Sequence, residues 1–225
     1  MRAGGASATS QPRRDRRALH WILAVSIGEA TGFTVAAGVA VWTIVAGLDD
    51  PARLVLVIAA GAVEGTTLAI GQYAGMRVRR PPAGRWIGAT ALAAATAWTL
   101  GMLPSTLGLD FASPALVVVV AVGAVLLLVS IPFAQWLALA RPHTARWVPV
   151  NAAAWAVSIL WTFAPSPFID ERSPVPLVVG LYVVAGVLMA VTFACLTAPL
   201  ALRLFFDVPT GRPSLGSSRH GGADE

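Results

Sequence analysis

The chain has 225 residues, of which 56 % are hydrophobic and 12 % are charged, and its mean hydropathy is +0.72. Soluble domains average about 45–50 % apolar and about 25 % charged residues, so this composition excludes an ordinary soluble domain and indicates a bilayer protein. The net charge of +5 does not indicate nucleic-acid binding, because the basic residues flank apolar stretches and are better explained by contact with anionic lipids.

Six apolar stretches follow one another along the chain, and each approaches the length of about 20 residues that a transmembrane helix needs. They predict an all-α bundle of six transmembrane helices within one domain, residues 19–206. The polar segments 1–18 and 207–225 are predicted to be disordered cytoplasmic tails. The predicted spans are residues 19–46, 54–76, 86–107, 115–139, 147–163 and 177–206.

The arginines alternate between the connections. Three connections hold only Arg53 and Arg172, and these lie beside acidic residues. By the positive-inside rule, this alternation predicts a cell-membrane protein with both termini in the cytoplasm and anionic lipids at that face. The arginine-rich segments are the N-terminal tail, the connections 77–85 and 140–146, and the C-terminal tail.

Two acidic residues, Glu29 and Glu64, lie deep in the first and second predicted spans. A carboxylate at the centre of a membrane helix costs about 2.5–3.5 kcal/mol, so it calls for an explanation. Counting about 1.5 Å per residue from the cytoplasmic ends, they lie about 13–15 Å and about 18 Å into the membrane. Small residues nearby let the two helices approach closely, so both acids are predicted to face the bundle interior. The predicted packing glycines are Gly28, Gly32, Gly61, Gly65, Gly71 and Gly75.

The acids are therefore expected to meet near the bilayer midplane. Two like charges in a low dielectric do not ionise together easily, so a proton or cation can be shared between them. We hypothesise a binding site made of Glu29, Glu64, Thr31 and Thr67 in a protein that binds or translocates a small solute or ion, with proton coupling. The hydroxyls of Thr66 and Thr96 are further candidate partners.

An alternative class is a non-catalytic structural or interaction protein. In this interpretation the acids are neutral and only help helices to associate, and small-residue faces form homo-oligomers or recruit partners. The chain lacks the hydrolase, zinc-peptidase, Walker and dinucleotide motifs, so no enzyme activity, cofactor or metal site is predicted. Cys195 is the single cysteine, which excludes an intrachain disulfide and suggests a packing role.

Two hairpins resemble each other, over about residues 54–107 and 115–166. In each, a glutamine (Gln72 or Gln135) ends one span and a tryptophan (Trp86 or Trp147) opens the next. This predicts a parallel internal repeat, with the glutamines capping or bridging helix ends. Tryptophans near span ends, which include Trp21, Trp42, Trp86 and Trp147, are predicted to anchor at the headgroup level. Trp98, Trp136, Trp155 and Trp161 are predicted to face lipid or to pack.

The second hairpin carries the sequence Ala-Gln-Trp-Leu-Ala-Leu over residues 134–139, and the first carries a looser version over residues 71–76. This paired element, followed by a basic turn and a tryptophan, resembles a group of uncharacterised multi-pass membrane proteins of actinobacteria and cyanobacteria. The resemblance covers roughly residues 19–205. It implies a helical inner-membrane protein, and it implies no particular reaction, ligand or site.

Overall fold

The computed structural model of the chain describes residues 11–107 and 113–206, and these residues form helices joined by short turns, without a strand. The prediction of an all-helical chain with six helices able to cross a membrane is confirmed. The helices are α1 (Gln11–Val45), α2 (Asp50–Gly75), α3 (Ala83–Thr106), α4 (Pro114–Leu139), α5 (Trp147–Ser158) and α6 (Val175–Phe205).

The helix boundaries differ from the predicted spans mainly at two places. Helix α1 begins at Gln11 and therefore includes residues 11–18, which were predicted to belong to a disordered tail. Arginine and alanine in this segment are good helix formers, so the membrane helix continues into the polar segment. Helix α5 ends at Ser158 and continues as 3-10 turns over Ile159–Phe163 and Ser166–Phe168. The predicted tail residues 1–10 and 207–225 lie outside the described residues.

Consecutive helices pack side by side, and α6 returns to pack against α1, so the six helices form a closed ring. Helix α4 is the least buried of them, because most of its apolar side chains point outwards. In a bilayer this outward surface is in contact with lipid, which is as apolar as the side chains themselves. Packing inside the ring therefore depends on shape and on polar contacts more than on burial of apolar area.

The two ends of the ring differ in charge. The arginine end contains the start of α1, the turns 76–82 and 140–146, and the end of α6. Here the Val78 N–H donates to the Phe205 carbonyl at 2.8 Å, and Arg85 donates to the Leu137 carbonyl at 2.7 Å. The Asp50 end contains the turn 46–49, where the Asp49 side chain caps α2 by accepting from the Ala52 N–H at 3.0 Å.

Four aromatic side chains fill the axis of the ring at the arginine end. We call them the aromatic cluster: Trp21 of α1, Trp86 of α3, Trp147 of α5 and Phe205 of α6. All four are fully buried, and their ring centroids lie from 5.6 to 6.5 Å apart in contacting pairs. The prediction that these three tryptophans anchor at the headgroups is therefore wrong. Trp86 and Trp147 do lie at helix ends, and Trp21 lies about three turns inside α1, but position along a helix does not fix which way a side chain points.

Candidate functional site

Glycine residues bring the backbones of α1 and α2 into contact. A Cβ atom added at Gly28 would lie 2.5 Å from the Thr67 carbonyl oxygen, and one added at Gly32 would lie 2.6 Å from Glu64 Cα. Both values are well below ordinary van der Waals separation, so a side chain at either position would push the helices apart. The glycines thus determine how closely the two acidic residues approach each other.

The structure brings Glu29 and Glu64 together inside the ring. Glu29 is fully buried, Glu64 is 8 % exposed, and the two carboxyl groups are near enough to interact directly. Neither oxygen of Glu29 accepts a hydrogen bond from a donor among the described residues. Because two carboxylates are both acceptors, a hydrogen bond between them exists only when one carries a proton.

Trp98 of α3 holds the second carboxyl group. Its indole Nε1–H donates to Glu64 Oε2 at 2.6 Å. The ring lies over Gly61, where an added side chain would collide with it. Trp98 was predicted to face lipid or to pack, so sequence reasoning missed this role. Trp98 and Glu64 lie on antiparallel neighbouring helices, both near the middle of the helix, and that similar depth was the available signal.

No positive charge balances the acid pair in the described part of the chain. Arginines in residues 11–107 and 113–206 lie near helix ends or in turns, and the ion pair found there joins Arg53 to Asp50 at 3.2 Å, far along α2 from Glu64. Two adjacent negative charges without a counterion repel each other strongly where water is excluded. The arrangement is therefore suited to holding a proton, or a small cation in its place.

The predicted threonines are not ligands of this pair. Thr31 is exposed on the outer surface of α1, so its place in the predicted site is wrong. Thr67 lies at the crossing of α1 and α2, but its hydroxyl donates to the backbone carbonyl of Glu64 at 2.9 Å. Thr66 and Thr96 likewise bond to carbonyls of their own helices. A threonine hydroxyl in a helix can donate to a backbone carbonyl three or four residues earlier, and this local bond competes with more distant partners.

A second polar cluster lies nearer the arginine end. Gln135 Nε2 donates to Gln72 Oε1 at 2.7 Å and to Thr90 Oγ1 at 3.1 Å, while Trp147 Nε1 donates to Gln135 Oε1 at 3.1 Å. We call these four residues the glutamine network. They are fully buried and join α2, α3, α4 and α5. The glutamines were predicted to cap or bridge helix ends near the headgroups; they do bridge helices, but through the interior of the ring.

The remaining predicted packing glycines also lie at helix contacts. Gly71 faces the backbone of Ala24, and Gly75 faces the ring of Trp21. Gly65 faces α3, where an added Cβ would lie 2.9 Å from the Thr90 carbonyl oxygen. Cys195, which was predicted to pack, is exposed on the outside of α6 instead.

No family model matches the chain, and no curated protein or solved structure is similar to it. The described residues form an all-helical protein with six helices long and apolar enough to cross a membrane, and they bury a pair of acidic side chains. Within the described residues, no group of three or more histidine, cysteine, aspartate or glutamate side chains is placed to hold a metal ion.

Proposed function

We propose that this protein is a proton-coupled membrane protein that binds or moves a small solute or ion, and that Glu29 and Glu64 hold the coupling proton. The observation that carries the proposal is the pair itself, two buried and neighbouring carboxyl groups, one of which has no hydrogen-bond donor in the described residues. Carboxyl groups inside a membrane protein are costly, and they commonly mark proton relays and ion pathways.

A proton suits this pair better than a divalent metal ion. Calcium takes six to eight oxygen ligands, and magnesium requires near-octahedral oxygen coordination. The hydroxyls of Thr66 and Thr67 donate to backbone carbonyls, and Thr31 and Thr96 are exposed, so among the described hydrogen bonds none joins these threonines to the carboxyl groups. A single proton, in contrast, converts the two facing acceptors into one hydrogen bond.

The proposed orientation puts both termini in the cytoplasm. In favour of it, arginines collect at one end of the ring, in the turns 76–82 and 140–146, at the start of α1 and at the end of α6, while the opposite end carries Asp49 and Asp50. The positive-inside rule assigns the arginine end to the cytoplasm, where anionic lipids attract it.

We also propose that the chain contains a parallel repeat. The hairpins α2–α3 and α4–α5 contribute equivalent residues, Gln72 with Trp86 and Gln135 with Trp147, to the interior at one end of the ring. A further pair on α6 and α1 has the same chemistry, because Trp21 Nε1 donates to Thr197 Oγ1 at 3.3 Å as Trp147 does to Gln135. Three such units would give the ring approximate threefold symmetry about the membrane normal.

The alternative of a purely structural protein that oligomerises through its small-residue faces has less support. The glycines on which it relied contact neighbouring helices of the same chain. They therefore already serve contacts within the chain and do not offer a free face to a second copy.

Infrared spectroscopy of the reconstituted protein tests the proposal directly. We expect a carbonyl stretching band from a protonated carboxyl group at neutral pH, and we expect Glu29→Gln or Glu64→Gln to remove it. Asp50→Asn is the matched control, because Asp50 is an exposed acid on the same helix as Glu64. Proteoliposomes loaded with a pH-sensitive dye then report whether proton movement, with a panel of ions and small solutes, requires both glutamates. An unchanged band in both glutamine variants would contradict the proposal.

A further inference from the structure

The seam between α2 and α3 contains a cavity at the Asp50 end, on the helix faces that carry Gly61 and Trp98 one turn deeper. We propose that protons reach Glu64 from the Asp50 end through this cavity, and that Trp98 is the barrier between the cavity and the carboxyl groups. This inference rests on the proposed function and deepens it, because it assigns the side from which the site is loaded and the residue that controls loading.

The cavity lies at the Asp50 end and has a volume of about 80 Å³. Asp50, Arg53, Ser105 and Thr106 supply polar groups to its lining. Such a volume accommodates water, which needs only about 10–15 Å³ of probe-occupied space and two to four polar partners. Water molecules held here would carry protons from the aqueous phase into the seam.

The floor of the cavity lies directly above Trp98. Val57 of α2 and Met102 of α3 line the cavity, and one helical turn deeper on the same faces are Gly61 and Trp98. The indole of Trp98 occupies the space over Gly61 that a larger side chain would take, and its Nε1–H reaches Glu64. Trp98 therefore blocks the route from the cavity and also donates a hydrogen bond to Glu64, where the route ends.

Beyond Glu64 the seam is closed. An added Cβ at Gly65 would lie 2.9 Å from the Thr90 carbonyl oxygen, so the two backbones are in direct contact there. At the arginine end the aromatic cluster fills the axis of the ring. In this conformation one side chain, Trp98, separates the acid pair from the cavity at the Asp50 end. Towards the arginine end, packed backbone and aromatic rings block the path to the acid pair.

The chemistry of the cavity favours protons over metal cations. Its floor is made by the apolar side chains of Val57 and Met102, which offer no oxygen ligands to replace the water shell of a metal ion. The guanidinium of Arg53 is paired with Asp50 at 3.2 Å and donates to the Leu48 carbonyl at 3.1 Å, so its charge is held at the mouth. A proton passes along hydrogen-bonded water without losing a hydration shell of its own.

Cysteine accessibility tests this route without relying on transport. In a Cys195→Ala background, Glu64→Cys is treated with a membrane-impermeant, cationic methanethiosulfonate reagent added separately to each side of sealed vesicles. Asp50→Cys identifies the side on which the Asp50 end lies. We expect Glu64→Cys to react at least about tenfold faster when Trp98→Ala is added, and from that side, because thiol reactivity requires access. Trp98→Phe keeps a ring without the N–H, so labelling of Glu64→Cys should remain slow.

A second pair of cysteines tests the cavity itself. Leu54 lines the cavity, whereas the adjacent Val55 is 65 % exposed on the outer, lipid-facing surface of α2. Leu54→Cys should react and Val55→Cys should not. Equal labelling of the two, no effect of Trp98→Ala, or faster labelling of Glu64→Cys from the arginine end would each overturn the route. These results would leave the infrared test of the acid pair intact, so failure of the route and failure of the proposed function are distinguishable.

Discussion

Substitution of Gly28 by alanine should loosen the α1–α2 contact on which the acid pair depends. The added Cβ would start 2.5 Å from the Thr67 carbonyl oxygen and must reach at least 3.4 Å for ordinary contact. The helices therefore have to separate by roughly 1 Å, and overpacking of this kind costs about 1–3 kcal/mol. Alanine also gains up to about 1 kcal/mol of helix propensity over glycine, which partly hides the strain.

Gly38→Ala on the same helix isolates these two effects, because a Cβ added at Gly38 has no other atom within 4 Å. It should be neutral or slightly stabilising, so Gly28→Ala should be less stable than Gly38→Ala by about 1–3 kcal/mol. Unfolding in mixed micelles with increasing sodium dodecyl sulfate, followed by tryptophan fluorescence, measures the difference. Equal stability of the two variants would refute the close backbone contact between α1 and α2.

Three further predictions concern the glutamine network, the acid pair and the topology. Gln135→Leu removes three hydrogen bonds and should lower the free energy of unfolding by about 2 kcal/mol, at about 0.6 kcal/mol per bond. The same unfolding assay measures this difference. An unchanged free energy of unfolding would show that the glutamine network does not stabilise the ring. Raising the pH should lower the thermal stability of the wild-type protein, because loss of the shared proton leaves two adjacent negative charges. Glu29→Gln should abolish this dependence, because its carboxamide can donate to Glu64 at any pH. The same pH profile of stability in the variant and the wild type would count against the shared proton. Reporter fusions at both termini should be active only with cytoplasmic reporters, and periplasmic activity at either terminus would reverse the proposed orientation.

The sequence was informative where a property is local. Glycines close to Glu29 on α1 and to Glu64 on α2 indicate that these two helices approach closely. Because neighbouring helices joined by a short turn are antiparallel, this pattern is enough to predict that Glu29 and Glu64 meet. It was not enough to place Thr31, which lies on the exposed side of α1. Successive side chains on a helix are rotated by about 100°, and Thr31 is two positions after Glu29, so the two side chains point to nearly opposite sides.

Trp98 is a residue whose contribution to the site could not be predicted from the sequence. A tryptophan in an apolar span is compatible with lipid contact, packing or hydrogen bonding, and only the crossing of α2 and α3 puts its N–H at Glu64 Oε2. The tryptophans of the aromatic cluster are likewise identical in sequence context to interfacial anchors. Closure of the ring by α1 against α6 turns them inwards instead.

Composition and the order of apolar and charged segments determined by themselves that the chain forms six membrane-length helices. A segment of about 20 apolar residues matches the thickness of the hydrocarbon layer, and unpaired backbone N–H and C=O groups are too costly there for a single segment to take any other regular structure. Only the tertiary structure decided which side chains share the interior. That choice depends on how each helix is rotated and which helices are neighbours, and both are fixed by contacts between residues far apart in the chain.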